Sequence, residues 1–237
     1  MTMSNGFQFK QFFIQHDKCA MKVNTDGVLL GAIACIENCR QILDLGTGSG
    51  LVAIMLAQRT KTDCQIFGVE LEPNAYLQAV ENAQNSAWAK RITIKQGDVI
   101  KQSFEVKFDL IVSNPPYFAD SLASRSEERD LARAVMAHTH LDWLKKAKNW
   151  LSEHGRITLI LPTEAAQRLI AQSSQINLCC IEQWKVYTKL GKPAKRMIVS
   201  FSLQALACKL KEIVIYDAEN QYSAEFKTLT QDFYLNF

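Results

Sequence analysis

No apolar run in this chain approaches the length needed to cross a membrane. The opening Met1-Thr-Met-Ser-Asn-Gly-Phe-Gln-Phe-Lys10 lacks the basic segment and apolar stretch of a secretory leader, so a cytoplasmic protein with no membrane partner is expected. Paired C-x-x-C spacing is also missing. The seven cysteines, Cys19, Cys35, Cys39, Cys64, Cys179, Cys180 and Cys208, are an odd number, several of them in apolar surroundings. They are expected to be reduced, mostly buried small hydrophobes, which leaves no metal site and no disulfide framework. There are no internal repeats and no low-complexity linker. A net charge of +3 is too small to name a partner. What is present, 48% hydrophobic and 22% charged residues over 237 positions, suffices for a substantial core and one domain with extensions.

The stretch Phe108-Asp-Leu-Ile-Val-Ser-Asn-Pro-Pro-Tyr-Phe118 reads as a buried strand that ends in a rigid, polar, aromatic turn. Pro115 and Pro116 remove two amide donors and fix two φ angles, so neighbouring carbonyls point outward and no helix can form. The Asn114 side-chain oxygen and the Pro115 carbonyl can each accept from one planar NH2 group, with the Tyr117 ring flat against its carrier. Drawing both N–H bonds toward acceptors favours a pyramidal nitrogen, whose lone pair can attack an electrophile with no prior general base. A turn that merely ends a strand is the plainer reading of the same residues.

Three more strand ends carry polar signals. Gln41-Ile-Leu-Asp-Leu-Gly-Thr-Gly-Ser-Gly50 is a strand running into a glycine-rich turn and then a helix, Leu51–Arg59. Gly46, Gly48 and Gly50 let a ligand approach the backbone, and the helix N-terminus offers unpaired amides. The pattern G-x-G-x-G is shorter than the dinucleotide fingerprint. Asp44 just before it would repel a pyrophosphate but attract an ammonium or sulfonium, which favours S-adenosylmethionine over NAD. Gln65-Ile-Phe-Gly-Val-Glu70 is a second strand; Glu70 stands near the spacing at which an acid meets ribose hydroxyls. A helix opened by Pro73 runs to about Asn85, and a third strand, Arg91–Lys95, ends in Gln96-Gly97-Asp98. Asp98 is either an acceptor for an adenine amine or a turn residue.

The remaining segments are less specific. Residues 7–22 alternate as one or two short strands, with His16 expected to be structural because no nucleophile or carboxylate is spaced around it. Thr25 or Asp26 can cap the apolar helix that follows. The polar segment 121–137, with Arg125, Arg129 and Arg133, is a solvated helix face or a cover that meets a polyanion. Leu141–Leu151 has helical periodicity, with Gly155 fitting a helix stop. A fifth strand follows at Arg156–Leu161, then a helix capped by Thr163, and strands at Leu178–Tyr187 and Arg196–Leu203. Between those strands Lys185, Lys189, Lys192, Lys195 and Arg196 occur with no acid. That loop is a phosphate grip or a solubility feature. The tail reads as an edge strand, Lys211–Tyr216, and a short amphipathic helix.

Strands alternating with helices give a doubly wound, mostly parallel α/β sheet of seven strands, and right-handed crossovers bring ligands to the carboxyl ends of the strands. The glycine turn, Glu70, Asp98 and Asn114 all follow strands at that one edge. With Asp-Leu-Gly-Thr-Gly-Ser-Gly and Asn-Pro-Pro-Tyr in place, the chain resembles Rossmann-like class I S-adenosylmethionine-dependent methyltransferases. It is further similar to the bacterial tRNA1(Val) adenine-N6 methyltransferases in Phe9-Lys10-Gln11-Phe12, Met21 to Asp26, Leu29 to Ala32, Tyr222-Ser223 and Asp232 to Leu235. That resemblance implies methylation of the adenine beside the anticodon of a valine tRNA. It implies that Asp44, Gly46, Glu70 and Asp98 hold the cofactor, that Asp26 borders its methionine end, and that Asn114 and Tyr117 hold the adenine. The division expected is a catalytic core at 25–204 between extensions at 1–24 and 205–237, acting as a monomer. A glutamine-amide methyltransferase would use the same acceptors. A DNA adenine methyltransferase lacks room for a groove-reading domain here, and a non-catalytic RNA-binding module would not need the intact turn.

Overall fold

The computed structural model describes residues 5–115 and 139–236. Strand order explains most of it. Strands β3 (Gln41–Leu45), β4 (Gln65–Glu70), β5 (Ile92–Gln96), β6 (Phe108–Ser113), β7 (Leu151–Pro162), β8 (Cys179–Lys189), β9 (Arg196–Ser202) and β10 (Lys209–Tyr216) form one sheet in the order β10-β8-β9-β7-β6-β3-β4-β5. Only β9 runs against its neighbours. The seven expected strands are β3 to β9, and the expected edge strand, β10, pairs in parallel with β8 to make eight. The chain leaves β3 toward β4 on one side and returns to β6 on the other, so the topological switch point lies between β3 and β6.

Helices cover both faces. On one face α1 (Thr25–Ile33) and α2 (Leu51–Arg59) bury nearly every side chain they have, with the small hairpin of β1 (Gly6–Gln8) and β2 (Phe13–Gln15) and the C-terminal α6 (Ala224–Thr230) closing that core. Phe9, Phe226 and Phe233 are fully buried there, so both chain ends are anchored by aromatic burial; the Lys10 amide donates to the Phe233 carbonyl at 2.7 Å. The opposite face carries α4 (His140–Lys148) and α5 (Thr163–Ser173) over Leu43, Leu45, Phe108, Ile157 and Phe201. Helix α3 (Pro73–Gln84) starts at its proline, as expected, with the Glu72 carboxylate accepting from the Asn74 and Ala75 amides.

Several local expectations are corrected. Asn24, not Thr25 or Asp26, caps α1: its backbone is extended and its side chain accepts from the Gly27 amide at 2.9 Å, while Thr25 and Asp26 already lie within the helix. Thr163 is the first residue of α5 rather than its cap, its hydroxyl donating to the Ala194 carbonyl at 2.6 Å. Gly155 does not stop a helix. It lies inside β7, where the register with β6 jumps from Phe108↔Leu151 to Leu110↔Arg156. A Cβ at Gly155 would come within 2.7 Å of the Phe108 carbonyl oxygen, so glycine permits the strands to meet at the bulge. Helix α4 instead ends where buried Trp150 turns the chain directly into the sheet, its carbonyl accepting from the Phe108 amide at 2.8 Å. Of the cysteines, all free, only Cys19 and Cys64 are buried, while Cys208 is exposed. The others stand at half-buried positions, Cys35 and Cys39 in a loop and Cys179 and Cys180 at the start of β8, that the apolar sequence context does not distinguish.

Candidate active site

Strands β6, β3, β4 and β5 are consecutive neighbours in the sheet, so their carboxyl ends form one contiguous edge. Asp44, Glu70, Asp98 and Asn114 all stand at or just past those ends, as the alternation predicts.

Asp44 is the innermost of them, 1% exposed. Thr47 folds back from the glycine turn and donates its hydroxyl to Asp44 Oδ2 at 2.6 Å. Burial outweighs that bond and pushes the carboxyl up to about 7. The glycine turn needs its glycines: Gly46, Gly48 and Gly50 have φ of 68°, 57° and 81°. A Cβ on Gly48 would meet nothing within 4 Å, so the backbone there borders open space. Glu70 fixes the turn's shape. Its Oε2 accepts from the Gly48 amide at 2.8 Å and its Oε1 from the Glu72 amide at 2.9 Å. Burial raises its pKa, and these two amides offset only part of the rise. Asp98 spends Oδ1 on the Ile100 amide at 2.9 Å, so the turn-capping role is real, while Oδ2 lies 4.0 Å from the exposed Lys101 ammonium.

Asn114 follows β6 directly, with Pro115 buried behind it. Its side-chain nitrogen lies 3.9 Å from the sulfur of Met21. A thioether accepts and never donates, so the nitrogen end of the carboxamide faces Met21 and the oxygen end is turned away from it. Pro116, Tyr117 and the segment 121–137 lie outside the described residues.

Three residues expected at ligands have protein partners distant in sequence. Asp26 is paired with Arg196, Nε to Oδ2 at 2.8 Å, with both side chains largely covered. That ion pair occupies an acid expected at the cofactor and a cation expected at RNA. Lys189 donates to the Ala218 carbonyl and the Asn220 side chain at 2.8 and 2.9 Å, so part of the basic loop is tethered to the turn after β10. Lys192 and Lys195 remain exposed.

Residues Gln78 and Asn82 of α3 are absent from the motif reading, yet both are buried, at 0% and 2% exposure. Asn82 donates to the carbonyls of Ser49 and Gln15, each at 2.8 Å, and accepts from the Gln15 amide. Gln78 accepts from the Lys18 amide and donates to Asp17. Together they clamp the N-terminal segment across the glycine turn. His16 accepts from the Val23 amide, the structural role expected for it. The one signal for the clamp is that polar residues at positions 78 and 82 share a helix face with Ala75 and Ala79.

The buried acid, open glycine backbone and two further strand-end acids suit a ligand with an ammonium, hydroxyls and a base. Relatives agree. Residues 25–179 match the methyltransferase small domain family. A curated tRNA1(Val) (adenine(37)-N6)-methyltransferase of Actinobacillus pleuropneumoniae serotype 5b is 65% identical over 236 residues, covering 100% of both chains. Bearers of the same name from Glaesserella parasuis and Haemophilus influenzae are 55% and 49% identical, each aligned over 98% of this chain. The chain belongs to this methyltransferase family.

Membership of this family makes S-adenosylmethionine the cofactor, and the residues present fit it: the carboxylates at 44, 70 and 98 and the open face of Gly48. Among solved structures, a predicted O-methyltransferase from Agrobacterium tumefaciens superposes with a TM-score of 0.68 over 88% of this chain and 96% of its own, at 19% identity. An S-adenosylmethionine-dependent O-methyltransferase from Thermotoga maritima gives 0.58 over 78% and 67% at 18% identity. At such identities the likeness concerns the fold alone. No metal-holding group of three or more His, Cys, Asp or Glu occurs among the described residues, and no helix there is long and apolar enough to cross a membrane.

Proposed function

We propose that this protein methylates N6 of the adenine beside the anticodon of a valine tRNA, acting as a monomer in the cytoplasm with a catalytic core at 25–204 between two extensions. The observation that carries the chemistry is the placement of Asn114 and Pro115 at the end of β6, next to the strand that leads into the glycine turn. The choice of substrate rests on the shared name of relatives up to 65% identical over the full chain.

S-adenosylmethionine supplies an electrophilic methyl group on a sulfonium. Asp44 would hold the ligand's ammonium, Glu70 its ribose hydroxyls and Asp98 its adenine amine. Asn114 and Pro115 would accept hydrogen bonds from the two N–H groups of the target amine, so that its lone pair faces the methyl group; as the N–C bond forms the C–S bond breaks to leave a thioether, and one N6 proton is lost to solvent, while Tyr117 would provide the stacking face for a base drawn out of a single-stranded loop. Alignment and two acceptors are the protein's main contributions. Lys189, Lys192, Lys195 and Arg196 lie on the RNA side, Lys192 and Lys195 toward phosphates and Arg196 through its pairing with Asp26.

The test is to incubate the purified protein with methyl-labelled S-adenosylmethionine and, separately, unmodified tRNA, duplex DNA and a release-factor protein, then digest each and identify the labelled product by mass spectrometry. Label in N6-methyladenosine from tRNA alone is expected. Label in glutamine would keep the fold and the acceptors while replacing the substrate.

A further inference from the structure

A groove of about 490 Å³ opens between the two ends of the chain. Its walls are Phe7 and Gln8 from β1, Thr25 at the start of α1, Tyr222 beyond β10, and Tyr234 and Asn236 past α6. Apart from Thr25 these residues fall outside the stretch 25–179 that matches the general methyltransferase family, whereas the tRNA-named relatives align over the whole chain. The groove therefore lies almost wholly outside the stretch that matches the general family.

Four features of the groove suit an RNA strand. First, it adjoins the acceptor site. The segment that carries Met21 against Asn114 continues to Val23 and Asn24, which line the groove, and two residues of chain span at most about 7 Å. Second, the basic loop is fixed beside both flanks: Arg196, on Asp26 next to Thr25, and Lys189, on Asn220 two residues before Tyr222, have their charges engaged and tether the ends of the loop that carries the exposed Lys192 and Lys195. Third, the wall is rigid: Tyr222 stacks on Tyr216 and Phe226 at 5.0 and 4.8 Å, and Tyr234 meets Phe7 edge-on at 5.8 Å. Fourth, carboxamides stand at its rim. Gln8 donates its nitrogen inward to the Phe9 and Phe12 carbonyls, which leaves its oxygen for an outside donor, and Asn236 is exposed. An apolar aromatic wall, amide groups for base edges and cations for phosphates are what an unpaired nucleotide requires.

We propose that this groove binds a single unstacked nucleotide of the RNA substrate, a close neighbour of the adenine held at Asn114. The inference rests on the RNA reading given above. It makes the N- and C-terminal extensions a substrate-reading site.

Full-length Leu235→Glu, Asn236→Ala and Gln8→Ala variants test it, Leu235 being 55% exposed on the groove wall. Fluorescence anisotropy with a labelled, unmodified anticodon stem-loop RNA reads binding without any need for methylation, and initial rates give KM for RNA and for S-adenosylmethionine. Leu235→Glu, which sets an anion in the groove, is expected to weaken RNA binding about tenfold and each amide deletion several-fold. The KM for S-adenosylmethionine and kcat at saturating RNA stay within about twofold, a split that a general loss of folding would not give. Unchanged RNA binding in all three variants overturns the groove while leaving the methylation reading intact. Wild-type protein that binds the RNA but methylates no adenine fails the activity reading, and the variants then still decide the groove. Wild-type protein that binds no RNA removes both.

Discussion

Asn82 reaches from the last turn of α3 to the glycine turn, its side-chain nitrogen 2.8 Å from the Ser49 carbonyl oxygen. The same nitrogen holds the Gln15 carbonyl, so one buried carboxamide joins the cofactor turn to the N-terminal segment that leads on to Met21. Replacing it with an isosteric leucine leaves the Ser49 and Gln15 groups unpartnered in a dry site. Asn82→Leu is expected to lower stability by about 2–4 kcal/mol and to weaken S-adenosylmethionine binding as the turn loosens. Urea unfolding and calorimetric titration measure the two effects; unaltered stability would mean that water replaces the lost bonds.

Asp44 makes the stability of the fold sensitive to pH. Its folded-state pKa of about 7 lies above the ordinary carboxylate value of 3.8, so the folded protein holds a proton that the unfolded chain releases in between. The stabilising contribution is full below about 4 and is lost as pH rises toward 7. Asp44→Asn is expected to flatten the pH dependence of ligand-free stability across that window. Because the ligand's ammonium favours the carboxylate, S-adenosylmethionine binding below pH 7 should release a proton and tighten as pH rises, which calorimetry in buffers of different ionisation enthalpy detects.

Gly48 faces open space while holding a left-handed φ of 57°. Gly48→Ala therefore costs only the backbone strain, about 1–2 kcal/mol, but puts a methyl group where the cofactor approaches. A modest fall in thermal midpoint with a loss of S-adenosylmethionine affinity of tenfold or more is the expected pair of results, with the fold-change on the order of one steric contact at a close-packed site.

Removing the acceptor at Asn114 should act on the chemical step. Asn114→Ala is expected to lower kcat by on the order of 10²-fold, about 3 kcal/mol, with S-adenosylmethionine binding nearly unchanged. A wild-type rate in this variant would refute the acceptor role.

Lys192 and Lys195 are exposed, whereas Lys189 and Arg196 are tied to the protein. Lys192→Ala and Lys195→Ala should each weaken RNA binding and reduce the slope of log affinity against log salt by about one. Salt slopes equal to wild type would make the loop a solvated surface.

The legible parts of this molecule were those governed by local rules. Alternation of apolar runs with helical periodicity marks the strands and helices, glycines at 46, 48 and 50 announce left-handed backbone, and prolines after Asn114 end a strand; each depends on neighbours a few residues away. The carboxyl-edge site was legible for the same reason, since parallel strands with right-handed crossovers all end on one side. Asp26 was read as a cap or a cofactor neighbour, and Arg196 as an RNA contact. They prefer each other across 170 positions of sequence, because folding brings α1 beside the start of β9 and a part-covered carboxylate gains more from a fixed guanidinium than from water. Gly155 likewise meets its constraint, the Phe108 carbonyl, only once β6 and β7 lie side by side. Sequence by itself thus determined the elements, their order and the strand ends that carry the chemistry. Tertiary structure alone decided which polar groups remain available there, because hydrogen-bond partners are chosen by distance in space.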